Sequence, residues 1–285
     1  MKTPLPLQPL MDDGLVDEVV RRLKSGKEAD VYVVRCGEQL RCAKVYKDVT
    51  TRSFKQAVHY REGRKVRNSR SARAMEKGSK FGRQQQESHW QHAEVDALYR
   101  LAAAGVRVPQ PYGCFDGVLL MELITDGAGQ VAPRLSDLSF EAEQARQDHA
   151  TLMNYVVRML CAGLVHGDLS EFNVLRDAVG PVIIDLPQVV HAAANNHAKD
   201  MLVRDVDNLS QFYGQFAPEL RGSRYAQEIW AHYEAGDLTE QVRLTGQFAE
   251  PTQAVDLAAV LDEIQSVEAE ALARLARRQA PDASD

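Results

Sequence analysis

The chain has 285 residues, 45% apolar and 26% charged, with a net charge of −6. That length suits one large domain or two lobes and buries a core without disulfides, so a small cysteine-stapled scaffold is excluded. Its four scattered cysteines form no C-x-x-C pair, which argues against a zinc ribbon or a thioredoxin-type site. Apolar runs such as Val118–Met121 are far short of the ~20 residues of a membrane-spanning helix, and Met1–Gly14 holds no apolar signal segment. A cytoplasmic protein with reduced thiols is expected. The charge is unevenly spread. Residues 61–83 hold nine basic side chains against Glu62 and Glu76, a formal +7, which leaves −13 on the rest.

In chain order, Leu15–Lys24 (LVDEVVRRLK) reads as a short amphipathic helix. Ala29–Arg35 and Leu40–Tyr46, split by Cys36-Gly37-Glu38, read as a two-stranded hairpin. The basic segment follows inside a flexible loop spanning 61–87, with Gly63, Gly78, Gly82 and three serines, Ser69, Ser71 and Ser79. Trp90–Ala104 is helical in pattern: Ala93, Ala97, Leu98 and Leu101 share a face, and Gly105 stops it. Gly117–Leu123 is a buried strand and Phe140–Gly163 a long helix, with Leu152, Tyr155, Val156, Met159 and Leu160 at spacings of three and four. Two short strands, Asn173–Arg176 and Pro181–Asp185, flank the turn Asp177–Gly180. Beyond Lys199 the patterns are helical, ending in Val255–Arg278. The fold class is α+β. A β-rich N-terminal lobe, residues 1–124, precedes a helical C-terminal lobe, residues 125–285, with a cleft suited to a nucleotide between them.

The chemistry concentrates in His166-Gly167-Asp168-Leu169-Ser170-Glu171-Phe172-Asn173 and in Val182-Ile183-Ile184-Asp185. Phosphoryl transfer needs a carboxylate to orient the acceptor hydroxyl and take its proton, and oxygen ligands for a divalent cation. Asp168 and Asn173 stand at the two ends of one tight loop, and Asp185 ends a buried strand. The Asp-x-x-x-x-Asn spacing followed by a second Asp is that of protein kinases. Any one of these residues alone would more often be a loop cap or a turn residue; the set together points to phosphoryl transfer. Upstream, Lys24–Tyr32 (KSGKEADVY) places small residues before a strand, where backbone N–H groups can approach phosphates, although it is not a Walker A motif. Lys44 lies in Cys42-Ala43-Lys44-Val45, close to the V-A-I-K pattern. Apolar neighbours on both sides give it a reason to point inward. Glu94, in phase with Leu98 and Leu101, is the candidate partner.

Taken together, these segments with Trp90–Glu94 resemble the RIO family of atypical serine/threonine protein kinases over roughly residues 10–220, closest to the bacterial members and to the branch carrying Ser-Thr-Gly-Lys-Glu-Ala. The resemblance implies a compact two-lobed kinase fold without an activation segment, consistent with Leu186-Pro187 after Asp185. It implies ATP with Mg²⁺ or Mn²⁺ as cofactors, and a protein substrate or the chain itself as acceptor. Asp168 is then the proton acceptor. Asn173 and Asp185 hold the metal, and Ser25, Gly26 and Lys27 form the phosphate turn. Lys44, paired with Glu94, meets the α- and β-phosphates. Met121-Glu122-Leu123-Ile124 is the hinge, with the backbone of Glu122 and Ile124 meeting adenine. Gly167 replaces the usual Arg before the catalytic Asp, so switching through an activation-loop phosphate is not expected. The resemblance also admits an ATPase-type switch in ribosome assembly, with an aspartyl-phosphate on Asp185. The serines of the basic loop are candidate autophosphorylation sites.

Three further readings accompany this one. The basic loop 61–83 is a candidate contact to RNA or a ribosomal particle, salt-sensitive and without base stacking, since Phe81 is its only aromatic residue. Asp205 is a candidate support for the catalytic loop. A small-molecule phosphotransferase of the aminoglycoside or choline kinase type shares the His-Gly-Asp loop, but not the Gly-Lys-Glu-Ala-Asp-Val-Tyr run. The pairs His89/His92 and His191/His197 lack the companions a zinc site needs.

Overall fold

The computed structural model describes residues 3–26, 28–47 and 93–249. The chain divides into two compact units, Met1–Phe248 and Ala249–Asp285, and the description concerns the first. Lys27, the basic loop, His89, His92 and the helix expected over Val255–Arg278 lie outside the described residues.

A single 3₁₀ turn, Leu5–Leu7, runs into α1 (Gln8–Asp12). Then come β1 (Glu18–Ser25), β2 (Ala29–Cys36) and β3 (Gln39–Tyr46), the helix α2 over residues 93–103, β4 (Pro111–Phe115) and β5 (Val118–Glu122). The five strands make one antiparallel sheet in the order β1-β2-β3-β5-β4. The β2–β3 hairpin turns at Gly37, whose φ of 62° suits a residue without Cβ.

The helix expected over residues 15–24 is not formed; most of that stretch is β1. The physical reason lies in its pairing with β2, which slips between Val19 and Arg21 and again between Arg22 and Lys24. Each bulge inserts a residue and breaks the alternation, so the apolar residues Val16, Val19, Val20 and Leu23 do not share one face: Val16 and Val19 join the cluster of Tyr32 and Val34, while Leu23 lines the cavity on the other side of the sheet. Their spacing of three and four imitates a helix. The N-terminal 3₁₀ turn and α1, invisible in a proline-rich stretch, bury Leu7 and Leu10 respectively against the sheet face formed by Tyr32, Val34, Ala43 and Val45. The alternate residues Cys42, Lys44 and Tyr46 stand on the opposite face, as the period of two requires. There Leu119 joins Ala97, Leu98 and Leu101 of α2 in the main core.

The rest is mostly helical. α3 (Ala142–Cys161) is followed by the short strands β6 (Leu164–Val165), β7 (Val174–Arg176), β8 (Pro181–Ile183) and β9 (Val190–His191), then α4 (Ala198–Tyr213) and α5 (Tyr225–Ala235). β7 pairs with β8 and β6 with β9. One buried cluster joins Leu152, Val156, Met159 and Leu160 of α3 to Leu202, Val206 and Leu209 of α4. Phe140 wedges in at centroid distances of 6.1 Å from Phe212, 5.5 Å from Tyr213 and 5.4 Å from Phe216. Over residues 236–249 the chain is not helical, contrary to the sequence pattern. Gly236 at φ 75° ends the helix, and the Glu228 carboxylate instead holds the backbone N–H groups of Thr245 and Gly246 at 2.8–3.0 Å. Among the described residues no helix is long and apolar enough to cross a membrane. The α+β class and the order of a sheet lobe before a helical lobe follow the sequence expectation.

Candidate active site

Lys44 is 8% exposed and Glu94 3%. The Lys44 ammonium donates to Glu94 Oε1 at 2.6 Å and to Asp185 Oδ1 at 3.2 Å, while the Tyr46 hydroxyl donates to Glu94 Oε2 at 2.5 Å. Burial alone favours the neutral lysine; the two carboxylates, Glu94 foremost, override it and raise the Lys44 pKa above its ordinary value. Burial likewise favours the neutral Asp185, yet the charge and hydrogen bond of Lys44 hold its carboxyl below the usual range. Burial and the adjoining Glu94 charge keep the Tyr46 phenol protonated. Asp185 adopts φ 67°, a left-handed conformation that costs an Asp about 1 kcal/mol. Its side chain remains 46% exposed, toward the cleft.

The loop carrying Asp168 is fixed from three sides. The Asp168 N–H donates to His166 Nδ1 at 3.2 Å, so the His166 proton sits on Nε2 and is donated to the Ile184 carbonyl at 3.1 Å. Burial lowers the His166 pKa, in keeping with this neutral tautomer. Asp205 of α4, 2% exposed, accepts the Gly167 N–H at 2.7 Å and the Leu169 N–H at 2.9 Å. Arg204 donates to the Gly167 carbonyl, and Asn208 to the Leu169 carbonyl at 3.1 Å. Gly167 stands at φ 83°, where a side chain would be strained. Burial pushes the Asp205 carboxyl up to about 7 and the Asp168 carboxyl upward as well.

Asn173 Nδ2 donates to the Asp168 carbonyl at 2.8 Å and to Asp168 Oδ2 at 3.3 Å. A carbonyl can only accept, so the amide nitrogen faces Asp168 and Oδ1 is the free end. Asp168 Oδ2 also receives the Gln188 amide at 3.4 Å, which leaves Oδ1 for another donor. The oxygens of Asp185 and Asn173 are hard donors suited to Mg²⁺, which takes one or two protein ligands beside substrate phosphates. Among the described residues no three His, Cys, Asp or Glu gather as a metal site.

A cavity of about 470 Å³ opens beside these groups. Lys44, Glu94, Met121, Glu122, Ile124 and Asp185 line it, and so do Lys24 and Arg134. Ser25 and Gly26 do not. The Ser25 hydroxyl and the Gly26 carbonyl accept from the Lys47 ammonium at 3.2 and 2.8 Å, and the Gly26 N–H donates to the Ala29 carbonyl. The Glu122 N–H is spent on the Gln110 carbonyl at 2.8 Å, and the Ile124 carbonyl accepts from Ala132 at 3.0 Å. The Glu122 carbonyl and the Ile124 N–H are not part of these bonds. The Glu122 carboxylate turns away, paired with Arg107 by two bonds of 2.9 and 3.1 Å. Sequence reasoning missed Tyr46, Gln188, Arg107 and Arg134. Tyr46 could have been found, since it lies two residues from Lys44 on one strand and so on the same face.

The family model of the RIO domain matches residues 30–229. The RIO-type serine/threonine-protein kinase Rio1 of Haloferax volcanii is 34% identical over 205 residues, covering 72% of this chain and 66% of that protein. The serine/threonine-protein kinase rio1 of Schizosaccharomyces pombe is 30% identical over 220 residues, covering 74% of this chain and 41% of that protein. Among solved structures, the Rio2 kinase–ADP/Mg²⁺–phosphoaspartate complex from Chaetomium thermophilum superposes with a TM-score of 0.52 at 22% identity, covering 92% of this chain and 76% of that one. The chain thus spans just under two thirds of the archaeal relative and about two fifths of the fungal one. With its two-lobed kinase-like fold, the chain belongs to the RIO family.

Proposed function

We propose that this chain transfers the γ-phosphoryl group of ATP to serine or threonine hydroxyls of a protein, itself included. The observation that carries the reading is the buried Lys44 ammonium, shared between Glu94 and Asp185 and facing a cavity of nucleotide size. Lys44 is held charged at a fixed point, ready to meet the α- and β-phosphates. The Glu122 carbonyl and the Ile124 N–H match the donor–acceptor edge of adenine. Asp168, its Oδ2 steadied by two amides, presents Oδ1 to the acceptor hydroxyl, orients its lone pair and takes its proton. Asn173 Oδ1 and Asp185 would hold Mg²⁺. Once bound, the cation would neutralise charge on the transferring phosphates. The basic segment 61–83, outside the described residues, belongs to the same proposal as a salt-sensitive RNA or ribosomal contact.

A second reading rests on the Asp185 carboxylate, which is ionised, 46% exposed and held beside the cavity. Here Asp185 itself attacks the γ-phosphorus, the bond to the β-phosphate oxygen breaks, ADP leaves and water later hydrolyses the acyl phosphate. The Chaetomium Rio2 complex holds a phosphoaspartate. Incubation with γ-labelled ATP and Mg²⁺ separates the two. Acid-stable label on protein serine, lost in both Asp168→Ala and Asp185→Ala, is the expected result. A hydroxylamine-sensitive adduct, lost with Asp185→Ala and accompanied by phosphate release, would give the second reading. Label on small alcohols in place of protein would overturn both in favour of a small-molecule phosphotransferase.

A further inference from the structure

Lys24 and Arg134 reach the same cavity from different parts of the chain, Lys24 from β1 and Arg134 from the segment between β5 and α3. Among the described residues neither side chain makes a hydrogen bond or an ion pair. The other cavity charges are matched. Lys44 has Glu94 and Asp185, and Glu122 has Arg107. Asp137, at the rim, stands alone against the two remaining cations. Burial and then the charge of Arg134 depress the Lys24 pKa, so the two cations sense each other, and Lys24 also senses Asp185 and Lys44. Such a pair repels across an empty cleft, and an anion placed between the two reverses the sign.

We propose that Lys24 and Arg134 form an anion clamp that closes on the polyphosphate of a nucleotide. This rests on the ATP reading of the cleft and adds a phosphate subsite separate from Lys44. The guanidinium of Arg134 supplies a planar fork for two phosphate oxygens, and the Lys24 ammonium a point charge. Because neither is tied to a carboxylate among the described residues, both can move onto the ligand. The clamp grades affinity by phosphate count and leaves the adenosine moiety to the hinge.

The test is a set of dissociation constants, by calorimetry, for adenosine, AMP, ADP, ATP and inorganic tripolyphosphate. The wild-type protein is compared with Lys24→Gln and Arg134→Gln. Each variant should lose about fivefold in ATP affinity, less for ADP and AMP, and nothing for adenosine. The salt dependence of ATP binding should flatten in both variants. Unfolding midpoints without ligand should stay at the wild-type value, since neither side chain has a partner to lose among the described residues. An equal loss for adenosine would overturn the clamp, and so would unchanged ATP affinity in both variants. Wild-type protein that binds neither ATP nor tripolyphosphate would also overturn it. Tripolyphosphate binding that both variants weaken, with no binding of ATP, would sustain the clamp and remove the ATP reading.

Discussion

Glu94 receives two donors at the centre of the cleft, the Lys44 ammonium and the Tyr46 hydroxyl. Its removal tests whether charge or hydrogen bonding holds the lysine. Glu94→Ala leaves a buried ammonium with only Asp185 beside it, and should cost about 3 kcal/mol or more. Glu94→Gln keeps an oxygen for the stronger donor and should cost about 1 kcal/mol. Urea unfolding at neutral pH reads both, and equal losses would mean that the charge of Glu94 does nothing for Lys44. The Lys44–Glu94 pair was legible in the sequence because each residue announces itself. A lysine inside an apolar strand and a glutamate in phase with leucines on a helix both need an inward partner. Gln188 was not legible. It approaches Asp168 only because the chain after Asp185 doubles back, and no local pattern encodes that return.

At the scale of elements, Arg107 ties three segments together. Its guanidinium holds the Glu122 carboxylate at the end of β5 by two bonds, and the Asp177 carboxylate in the β7–β8 turn at 3.1 Å. Its own carbonyl accepts the Ile183 N–H at 2.9 Å. Asp177 divides its oxygens: Oδ1 accepts the Val179 and Gly180 N–H groups, and Oδ2 takes the arginine. Asp177→Asn therefore keeps the turn and weakens only the strut. Arg107→Ala should raise KM for ATP severalfold while kcat at saturation holds, because it loosens the segment proposed to meet adenine without touching Asp168 or Asp185. Asp177→Asn should move KM in the same direction by less, since it weakens one of the three side-chain bonds of Arg107 and leaves the two to Glu122 in place. Steady-state kinetics decide, and a fall in kcat as large as the fall in kcat/KM would contradict this role. α3 was readable because its period is unbroken, and the β2–β3 hairpin, β5 and the β7–β8 hairpin because each strand is an apolar run bounded by turn residues. β1 was not, because its two bulges convert alternation into helical spacing. β4 was hidden by Pro111 and Gly113, residues depleted from strands, and β6 and β9 are too short to carry any period.

For the whole molecule, three buried groups in the helical half respond to acid in opposing ways. Asp205 stands at about 7 in the folded protein, against an ordinary value of 3.8, because burial outweighs the two N–H groups it accepts. The folded state then binds this proton more tightly than the unfolded chain, and lowering the pH from 7 toward 4 stabilises the fold through Asp205. His149, 1% exposed and 2.9 Å from the Ser210 hydroxyl, is pushed by burial from 6.5 down to about 4. His166 is displaced in the same direction. For both histidines the unfolded chain takes up protons that the folded one refuses. Their stability is complete above pH 6.5 and is lost as the pH falls. A full proton of difference is worth about 1.4 kcal/mol per pH unit. Between pH 6.5 and 4.5, Asp205 therefore offsets His149, and His166 adds to the loss on the acid side. Asp205→Asn removes the offset while retaining an oxygen for the Gly167 and Leu169 N–H groups. Its unfolding free energy, from urea curves at several pH values, should fall about 1.4 kcal/mol per pH unit more steeply than that of the wild type across this window. Parallel slopes would mean that the Gly167 and Leu169 N–H groups, with Arg204, keep Asp205 ionised throughout. The loop carrying Asp168 would then be anchored by a permanent charge, and its rigidity would not depend on pH over that range.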